Sequence, residues 1–477
     1  MATIETDYLV IGAGAVGLAF ADTLLTETDA DIVIVDRHGK PGGHWNDAYS
    51  FVALHQPSAF YGVNSLPLGN GRIDRIGVNS GLNELASGPE VSGYFDTVMR
   101  QHLLPSGRVR YFPMSDHLGN GRVVSLLSGA ETSVAARKIV DATYYGTTVP
   151  STHTPKFAVV AGVRLVTPNA LPHLWQANGA KPKRFVILGA GKTAMDVGVW
   201  LLGSGAAPEA IQWVMPRDSW LLNRLRTQPG IEFFDATIGG QVAQMEAFAE
   251  SGSVDEIFER LEAAGVMLRI YPDQQPTMFH YATISTGEIA ELQRITDVVR
   301  MGRVQSIGTE AMVLDEGTVA AAADTLFIDC TASAVEIRPA LPIFDGNRIT
   351  PQLVRVPQPA FSAALIAYVE AHYPDDAAKN ALCRTVPFPE TLGHYPMCNI
   401  VNMMNQFAWS QDKTLSRWIR SSRLDGFGKV IAAVKPDDQA KLALLGKFRS
   451  TAMAAMVNLQ TLAATGPVAI SPVATVS

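Results

Sequence analysis

Cysteine is scarce: the 477 residues hold three, Cys330, Cys383 and Cys398, and no C-x-x-C pair. Neither a disulfide framework nor a dithiol redox centre is on offer. A positive field is missing as well. Lys and Arg number 38 against 45 Asp and Glu, a formal net charge of -7, so nucleic acid is not an expected partner. Every apolar run is broken by Gly, Pro or charge before it could span a bilayer. Met1–Asp7 is short and acidic, without the basic stretch that opens a secretory signal; a cytoplasmic location is expected. No metal-ligand cluster and no Ser-His-Asp spacing stands out, so no metal is expected. What remains is a packable chain, 47% hydrophobic and 17% charged, long enough for two or three domains. Its end, Ala463–Ser477, is uncharged and rich in Ala, Val, Pro and Thr, and reads as a loosely held tail.

The pattern with the most chemistry comes first. Tyr8-Leu9-Val10-Ile11 reads as a strand buried on both faces, Gly12-Ala13-Gly14-Ala15-Val16-Gly17 fits G-x-G-x-x-G, and Leu18–Leu25 reads as a helix. A second strand, Asp31–Val35, ends at Asp36. Gly12 permits the tight turn, Gly14 lets backbone approach a pyrophosphate, and Gly17 lets helix and strand pack closely. The helix N-terminus then faces the phosphates, and Asp36 is spaced to accept both hydroxyls of a ribose.

The same syntax returns downstream. Arg184–Leu188 reads as a strand, Gly189-Ala190-Gly191-Lys192-Thr193-Ala194 as the turn, and Met195–Leu202 as the helix. Ala194 replaces the third glycine, which the fingerprint tolerates. A P-loop is excluded, because Val186 stands where its first glycine is needed. The next strand, Ile211–Met215, leads to Pro216-Arg217 and not to an acid. An arginine there suits a 2′-phosphate and so NADPH over NADH, with Arg224 and Arg226 as reserves; the alternative is a solvated surface charge. Two hairpin stretches also correspond. Gly121-Arg122-Val123 leads to a strand ending Asp141-Ala142-Thr143, and Gly302-Arg303-Val304 to one ending Asp329-Cys330-Thr331. Such a correspondence implies two nucleotide-binding units of similar build.

After Asp36 comes Arg37-His38-Gly39-Lys40-Pro41-Gly42-Gly43-His44-Trp45. Here the chain resembles the flavin-containing monooxygenases and the related Baeyer–Villiger and N-hydroxylating enzymes, in which a G-G-x-W element lies along FAD. The resemblance covers most of the chain. It implies an α/β fold of two Rossmann-like dinucleotide-binding domains with a C-terminal cap: residues 1–168 the first part of a discontinuous FAD domain, 169–323 an inserted NAD(P)H domain, 324–477 the second FAD part. It also implies FAD held by Gly12, Gly14, Ala15, Val16, Gly17, Asp36, Arg37, Gly43, His44, Trp45 and Ala142, and NADPH held by Gly189, Gly191, Lys192, Thr193, Arg217 and Asp329.

Leu54-His55-Gln56-Pro57-Ser58 sits where those enzymes carry a T-N-x-P-like stretch against flavin and nicotinamide, which makes His55, Gln56 and Ser58 candidate flavin-side residues. His55 reads equally well as a core histidine. Gly393–Trp409 is a candidate cap over the flavin, or ordinary core, and Ala236–Arg300 is longer than a Rossmann core needs. Tyr271-Pro272-Asp273 and His280-Tyr281 within it could shape substrate access or cover a sheet edge. One departure is clear: Phe157–Leu165 lacks the histidine of the family's F-x-G-x-x-x-H fingerprint. The activity implied is a single-component monooxygenase that passes one atom of O2 to a small organic substrate through a C4a-(hydro)peroxyflavin. The alternatives are an NADPH-linked flavoprotein reductase without oxygen insertion, and a non-catalytic nucleotide sensor.

Overall fold

The computed structural model describes residues 3–176, 182–333 and 335–465. The first unit grows from β1 (Thr3–Ile11), α1 (Ala15–Glu27) and β2 (Ile32–Val35). β1 begins at Thr3, ahead of the expected Tyr8, because its polar first residues pair in parallel with Ser133–Ala136. β2 is buried at every position, and Leu9 and Val10 are fully buried, as befits parallel strands covered on both faces. α2 (Gly88–Thr97) starts at a Ser87/Glu90 capping box and precedes β3 (Val109–Phe112), the hairpin of β4 (Ser115–His117) and β5 (Arg122–Ser125), and β6 (Glu131–Asp141).

The second unit contains β7 (Ala158–Val159), β8 (Arg164–Val166), α3 (Leu171–Gln176), β9 (Arg184–Leu188), α4 (Lys192–Gly203) and β10 (Ile211–Val214). β11 (Ser219–Asn223), α5 (Phe234–Glu250), α6 (Val254–Ala263), β12 (Met267–Leu268), β13 (Met278–Ile284), α7 (Thr286–Leu292) and β14 (Asp297–Val299) follow. A hairpin of β15 (Val304–Ile307), β16 (Ala311–Leu314) and β17 (Gly317–Ala320) leads back to β18 (Thr325–Asp329). The main sheet is parallel, ordered β14-β10-β9-β18-β8. Both expected hairpin excursions are present, each running into a return strand.

The chain then re-enters the first sheet. β19 (Phe344–Asp345) and β20 (Arg348–Ile349) extend it to the order β19-β20-β6-β1-β2-β3. α8 (Pro359–His372) is buried from Ala360 to Glu370 and shares a core with α1, joining Phe20 and Leu24 to Leu365 and Val369. Glu370, buried among these, accepts hydrogen bonds from Tyr8 Oη at 2.8 Å and from the ammoniums of Lys138 and Lys379 at 3.0 and 2.6 Å. The returning segment is thereby fastened to the first sheet.

Sheet membership shifts the expected boundaries. β8 lies before residue 168 and β18 after 324, yet both belong to the second sheet, flanking β9 on one side. Ala236–Arg300 packs in two places: Phe258 and Phe279 join Trp220 of β11 against Tyr395 and Leu459 of the C-terminal helices, and Ile270, Ile284 and Leu292 join the core around β9 and α4. Those helices include α9 (Asp376–Leu382), α10 (Tyr395–Gln411), α11 (Lys413–Ser421), α12 (Phe427–Ala432) and α13 (Gln439–Thr465). Ala463–Thr465, expected in a loose tail, ends α13; residues 466–477 lie outside the described ones. Among the described residues no helix is long and apolar enough to cross a membrane.

Candidate functional site

At the first turn, Gly12 takes φ +98° and a Cβ on Gly17 would stand 1.9 Å from Gly12 O. The helix–strand approach that glycine permits is therefore real here. Gly14 is the N-cap of α1, and the expected second glycine element lies directly against it: a Cβ on Gly43 would meet Gly14 Cα at 2.9 Å, and Gly42 N donates to Ala13 O at 2.8 Å. Ala15 and Val16 lie in the first helical turn, and Ala142, just past the end of the return strand, lies beside Gly12. Asn46 donates to Lys40 O and Gly43 O, while its Oδ1 is buried with no partner. An orphan acceptor beside two glycine turns suits the hydroxyls of a dinucleotide.

Asp36 is 7% exposed and already engaged. Its Oδ2 accepts from Ala13 N at 2.6 Å, and its Oδ1 accepts from His38 N at 2.7 Å and meets His38 Nδ1 at 2.8 Å. The other ring nitrogen of His38 meets Asp47 Oδ2 at 2.7 Å. The Asp36 hydrogen bond, with help from Asp47, raises the His38 pKa to about 9, against the opposing effect of burial. His38 thus clamps Asp36 to the 43–47 turn, a role the sequence reading missed. Arg37 points outward to Asp116 at 2.7 Å and is 72% exposed, so it makes no approach to the turn in this conformation. His44 stacks on Trp45 at 5.4 Å and burial pushes its pKa down to about 4. Trp45 Nε1 donates to Tyr61 Oη at 2.8 Å.

The second turn repeats the construction. Gly189 takes φ +111°, and a Cβ there would meet Cys330 O at 2.8 Å. Gly191 is the N-cap of α4, and a Cβ there would find nothing within 4 Å: the helix N-terminus opens onto free space, which suits a phosphate. The return strands match in atomic detail. Asp141 Oδ1 accepts from Thr143 N and Oγ1 at 3.1 and 2.7 Å, and Asp329 Oδ1 from Thr331 N and Oγ1 at 2.9 and 2.6 Å. Asp329 is 2% exposed and held in this clasp; in this state it shapes the turn's floor and presents no free carboxylate. Beyond β10, Arg217 is exposed and forms no ion pair among the described residues. Burial and the neighbouring Arg303 both lower its pKa.

Lys192 departs from expectation. Its ammonium turns away from the helix end to pair with Asp196 and, at 2.9 Å, with Glu288. Arg224, 1% exposed, pairs with Glu288 at 2.7 Å and donates to His55 O at 2.8 Å and Asn79 Oδ1 at 3.1 Å. Burial alone would raise the Glu288 carboxyl, but Lys192 and Arg224 hold it at about 2. Tyr49 Oη, near Thr193, donates to Asp196 Oδ2 at 2.7 Å, so the first unit's 49–58 strip is bonded to the second turn's helix. Neither reserve arginine is free: Arg226 donates to the carbonyls of Gly265, Ala236 and Ala264. The Lys192/Asp196 spacing was a visible helical i,i+4 signal; Arg224 and Glu288 carried none.

Of the flavin-side candidates, His55 is half-buried beside this cluster, and its pKa is lowered to about 4, by loss of solvation first and Lys192 second. Gln56 is half-buried and its carboxamide makes no hydrogen bond among the described residues. Ser58 is 1% exposed and fully committed, donating to Glu84 O at 3.0 Å and accepting from Ala86 N at 2.8 Å. It is structural in this geometry. The 393–409 segment is divided: Asn405 ties Val354 O and Arg384 O and Trp409 Nε1 donates to Leu382 O, while Met404, Gln406 and Phe407 face outward. Tyr271 Oη donates to Ile295 O at 2.7 Å and closes its own loop. His280 lies against Phe388 at 5.6 Å, and Tyr281 Oη is buried without a hydrogen-bond partner.

Residues 10–66 match a family model described as an NAD(P)-binding Rossmann-like domain. The chain is similar to uncharacterized proteins of Mycobacterium tuberculosis and Mycobacterium bovis, each 49% identical over 447 residues, 94% of this chain and 82% of the relative. Among solved structures it resembles polycyclic ketone monooxygenase of Thermothelomyces thermophila (14% identity, 98% of this chain, 89% of that one, TM-score 0.49). It also resembles the flavin-containing monooxygenase of Stenotrophomonas maltophilia (18%, 72% and 84%, TM-score 0.39) and the bacillithiol disulfide reductase of Staphylococcus aureus (11%, 78% and 100%, TM-score 0.45). Each TM-score lies below 0.5, so what this chain does has to be read from its own residues. At 49% identity over nearly its whole length, the chain belongs to the same family as the mycobacterial proteins.

Proposed function

We propose that this protein is an FAD- and NADPH-dependent oxidoreductase acting as a single-component flavin monooxygenase on a small organic substrate. One observation carries the reading: two glycine turns of matching build each open a helix over an Asp-x-Thr clasp, and Tyr49 of the first unit's 49–58 strip is bonded to Asp196 on the second turn's helix. Two dinucleotides held so would bring their reactive ends to the 45–58 strip. The assignment of FAD to the first turn rests on the Gly42-Gly43-His44-Trp45 element lying against Gly14. NADPH at the second rests on Arg217, exposed beside Arg303 and without a carboxylate partner.

A bound flavin would supply the redox chemistry, hydride acceptance from NADPH and the reduction of O2 with one oxygen atom passing to the substrate and the other leaving as water. The chain's part is to bind and orient. Gly14, Gly43 and the α1 N-terminus would hold the first pyrophosphate, Gly191 and the α4 N-terminus the second. Gln56, free of internal bonds, is available to the reacting rings. A second reading, electron transfer without oxygen insertion, is favoured by the missing fingerprint histidine in Phe157–Leu165.

Anaerobic mixing with NADPH or NADH tests the cofactor reading. Arg217→Ala should raise the KM for NADPH about 10- to 100-fold, the worth of a charge-assisted phosphate contact, and leave NADH within about twofold. Equal effects on both cofactors would contradict the assignment.

A further inference from the structure

The long helix α13 meets the protein on one side. Ala455, Leu459 and Leu462 are buried there, with Phe448 and Met456 beside them, in the core that holds Phe248 and Tyr395. Helical periodicity puts Leu442, Met453 and Val457 on the opposite side, with Gly446 and Ala454 between them. Met453 is 74% and Val457 57% exposed. The polar residues of that side, Ser450, Gln460 and Thr461, are uncharged, and the helix contains no Asp or Glu. A helix apolar on both faces is ordinarily covered on both. Here nothing among the described residues covers the outer face, which runs for about 30 Å from Leu442 to Ala464.

The charges beside this ridge are of one sign. Lys447 and Arg449 emerge on its two flanks, and Lys429 and Lys435 are exposed just ahead of it. Lys429 lies on α12, which adjoins α13: Val430 and Val434 share a core with Leu444 and Leu445. From Lys413 to Thr465 there are nine Lys and Arg against three Asp and no Glu, in a chain whose net charge is -7. Two of those acids are already paired, Asp425 with Arg355 at 2.7 Å and Asp438 with Lys441 at 2.6 Å. Among the described residues Lys447 pairs with Glu246, whereas Lys429, Lys435 and Arg449 form no ion pair. A second copy of this surface would set like charges against each other, which disfavours it as the cover. An anionic bilayer fits both features: the apolar ridge enters the headgroup boundary while the flanking cations stay at the phosphates.

We infer that α13 docks the protein on the surface of an anionic phospholipid membrane. Met453 and Val457 face the acyl chains, and Lys435, Lys447 and Arg449 face the headgroups. The contact is peripheral, since no helix among the described residues is long and apolar enough to cross a membrane. It depends on neither nucleotide site.

Sedimentation of the full chain with phospholipid vesicles tests this. Binding should be at least about tenfold stronger to vesicles of phosphatidylcholine with phosphatidylglycerol than to phosphatidylcholine alone, and added salt should weaken it. Lys435→Glu with Arg449→Glu reverses two charges, and Met453→Glu with Val457→Glu blocks entry of the ridge. Each pair should lower partitioning at least about tenfold. All four side chains are exposed, and circular dichroism checks that the helix persists. Ile76→Glu, at an 86% exposed residue of the first unit, should leave partitioning within about twofold, because it lies off the docking face. No sedimentation with anionic vesicles, equal binding to both kinds, unchanged partitioning in both helix variants, or an equal loss in Ile76→Glu would each overturn the inference. So would a dimer in sedimentation velocity that the Met453→Glu, Val457→Glu pair dissociates, which would give the face to a second copy.

Discussion

Two glycines of the first turn should fail in opposite ways. A Cβ on Gly17 would lie 1.9 Å from Gly12 O, a backbone atom that no rotamer change can move. Relief requires the turn to open by roughly 1 Å, and overpacking of this kind costs about 1–3 kcal/mol. At about 2–4 °C per kcal/mol for a unit of this size, Gly17→Ala should lower the apparent Tm by several degrees with or without flavin. A Cβ on Gly14 would instead meet Gly43 Cα at 3.5 Å, an ordinary contact, on backbone at φ -81° that alanine adopts freely. Gly14→Ala should therefore cost the apoprotein no more than about 1 kcal/mol, the usual range for an N-cap change. The proposed assignment has a pyrophosphate approach the backbone of this turn closely, so FAD affinity should fall at least about tenfold. Differential scanning calorimetry of the apoproteins and fluorescence titration with FAD separate the two effects. Gly14→Ala with full FAD affinity would refute the phosphate site, and Gly17→Ala with an unchanged Tm would refute the packed turn.

Three further outcomes follow from the buried polar contacts. His38 has its folded pKa raised to about 9 by Asp36 and Asp47, above the ordinary value of about 6.5. The stability it contributes is then complete below about pH 6.5 and lost as the pH rises through about 9. The Tm gap between the native chain and His38→Gln should shrink across that window, and a constant gap would contradict the clamp. Glu370→Gln leaves Lys138 and Lys379 without their carboxylate, with Lys379 only 4% exposed; urea unfolding should show a loss of about 3–5 kcal/mol, and a change under about 1 kcal/mol would show the network to be idle. Ser58→Ala orphans the buried Ala86 N and should cost about 1–3 kcal/mol while flavin reduction per bound flavin stays within about twofold; a collapse in rate at unchanged stability would restore Ser58 to the chemistry.

Patterns of local spacing carried far. Both glycine turns, their flanking strands and helices, and the Asp141/Asp329 strand ends were legible because each occupies one contiguous stretch whose period and turn residues say the same thing. Gly17 was legible for the right reason, close helix–strand approach. What failed was long-range. Lys192 reads as a phosphate ligand in its own segment, but Glu288, 96 residues on, draws it inward. Arg224 and Ser58 look like available polar groups until the fold supplies His55 O, Glu84 O and Ala86 N as partners. Arg37 follows Asp36 in sequence but turns to Asp116, and His38 makes the contact, since alternation past a strand end sends adjacent side chains opposite ways. The unit boundaries slipped because β8 and β18 belong to one sheet only through pairing across more than 150 residues, which no local window records.

The central claim is that the chain holds FAD on its first glycine turn and reduces it with NADPH from its second. The most direct test is the absorbance of the purified, FAD-reconstituted protein during anaerobic mixing with NADPH. The account predicts about one flavin per chain, bleached by NADPH at far lower concentration than by NADH. A protein that takes up no flavin, or a bound flavin that NADPH leaves oxidised, would contradict it.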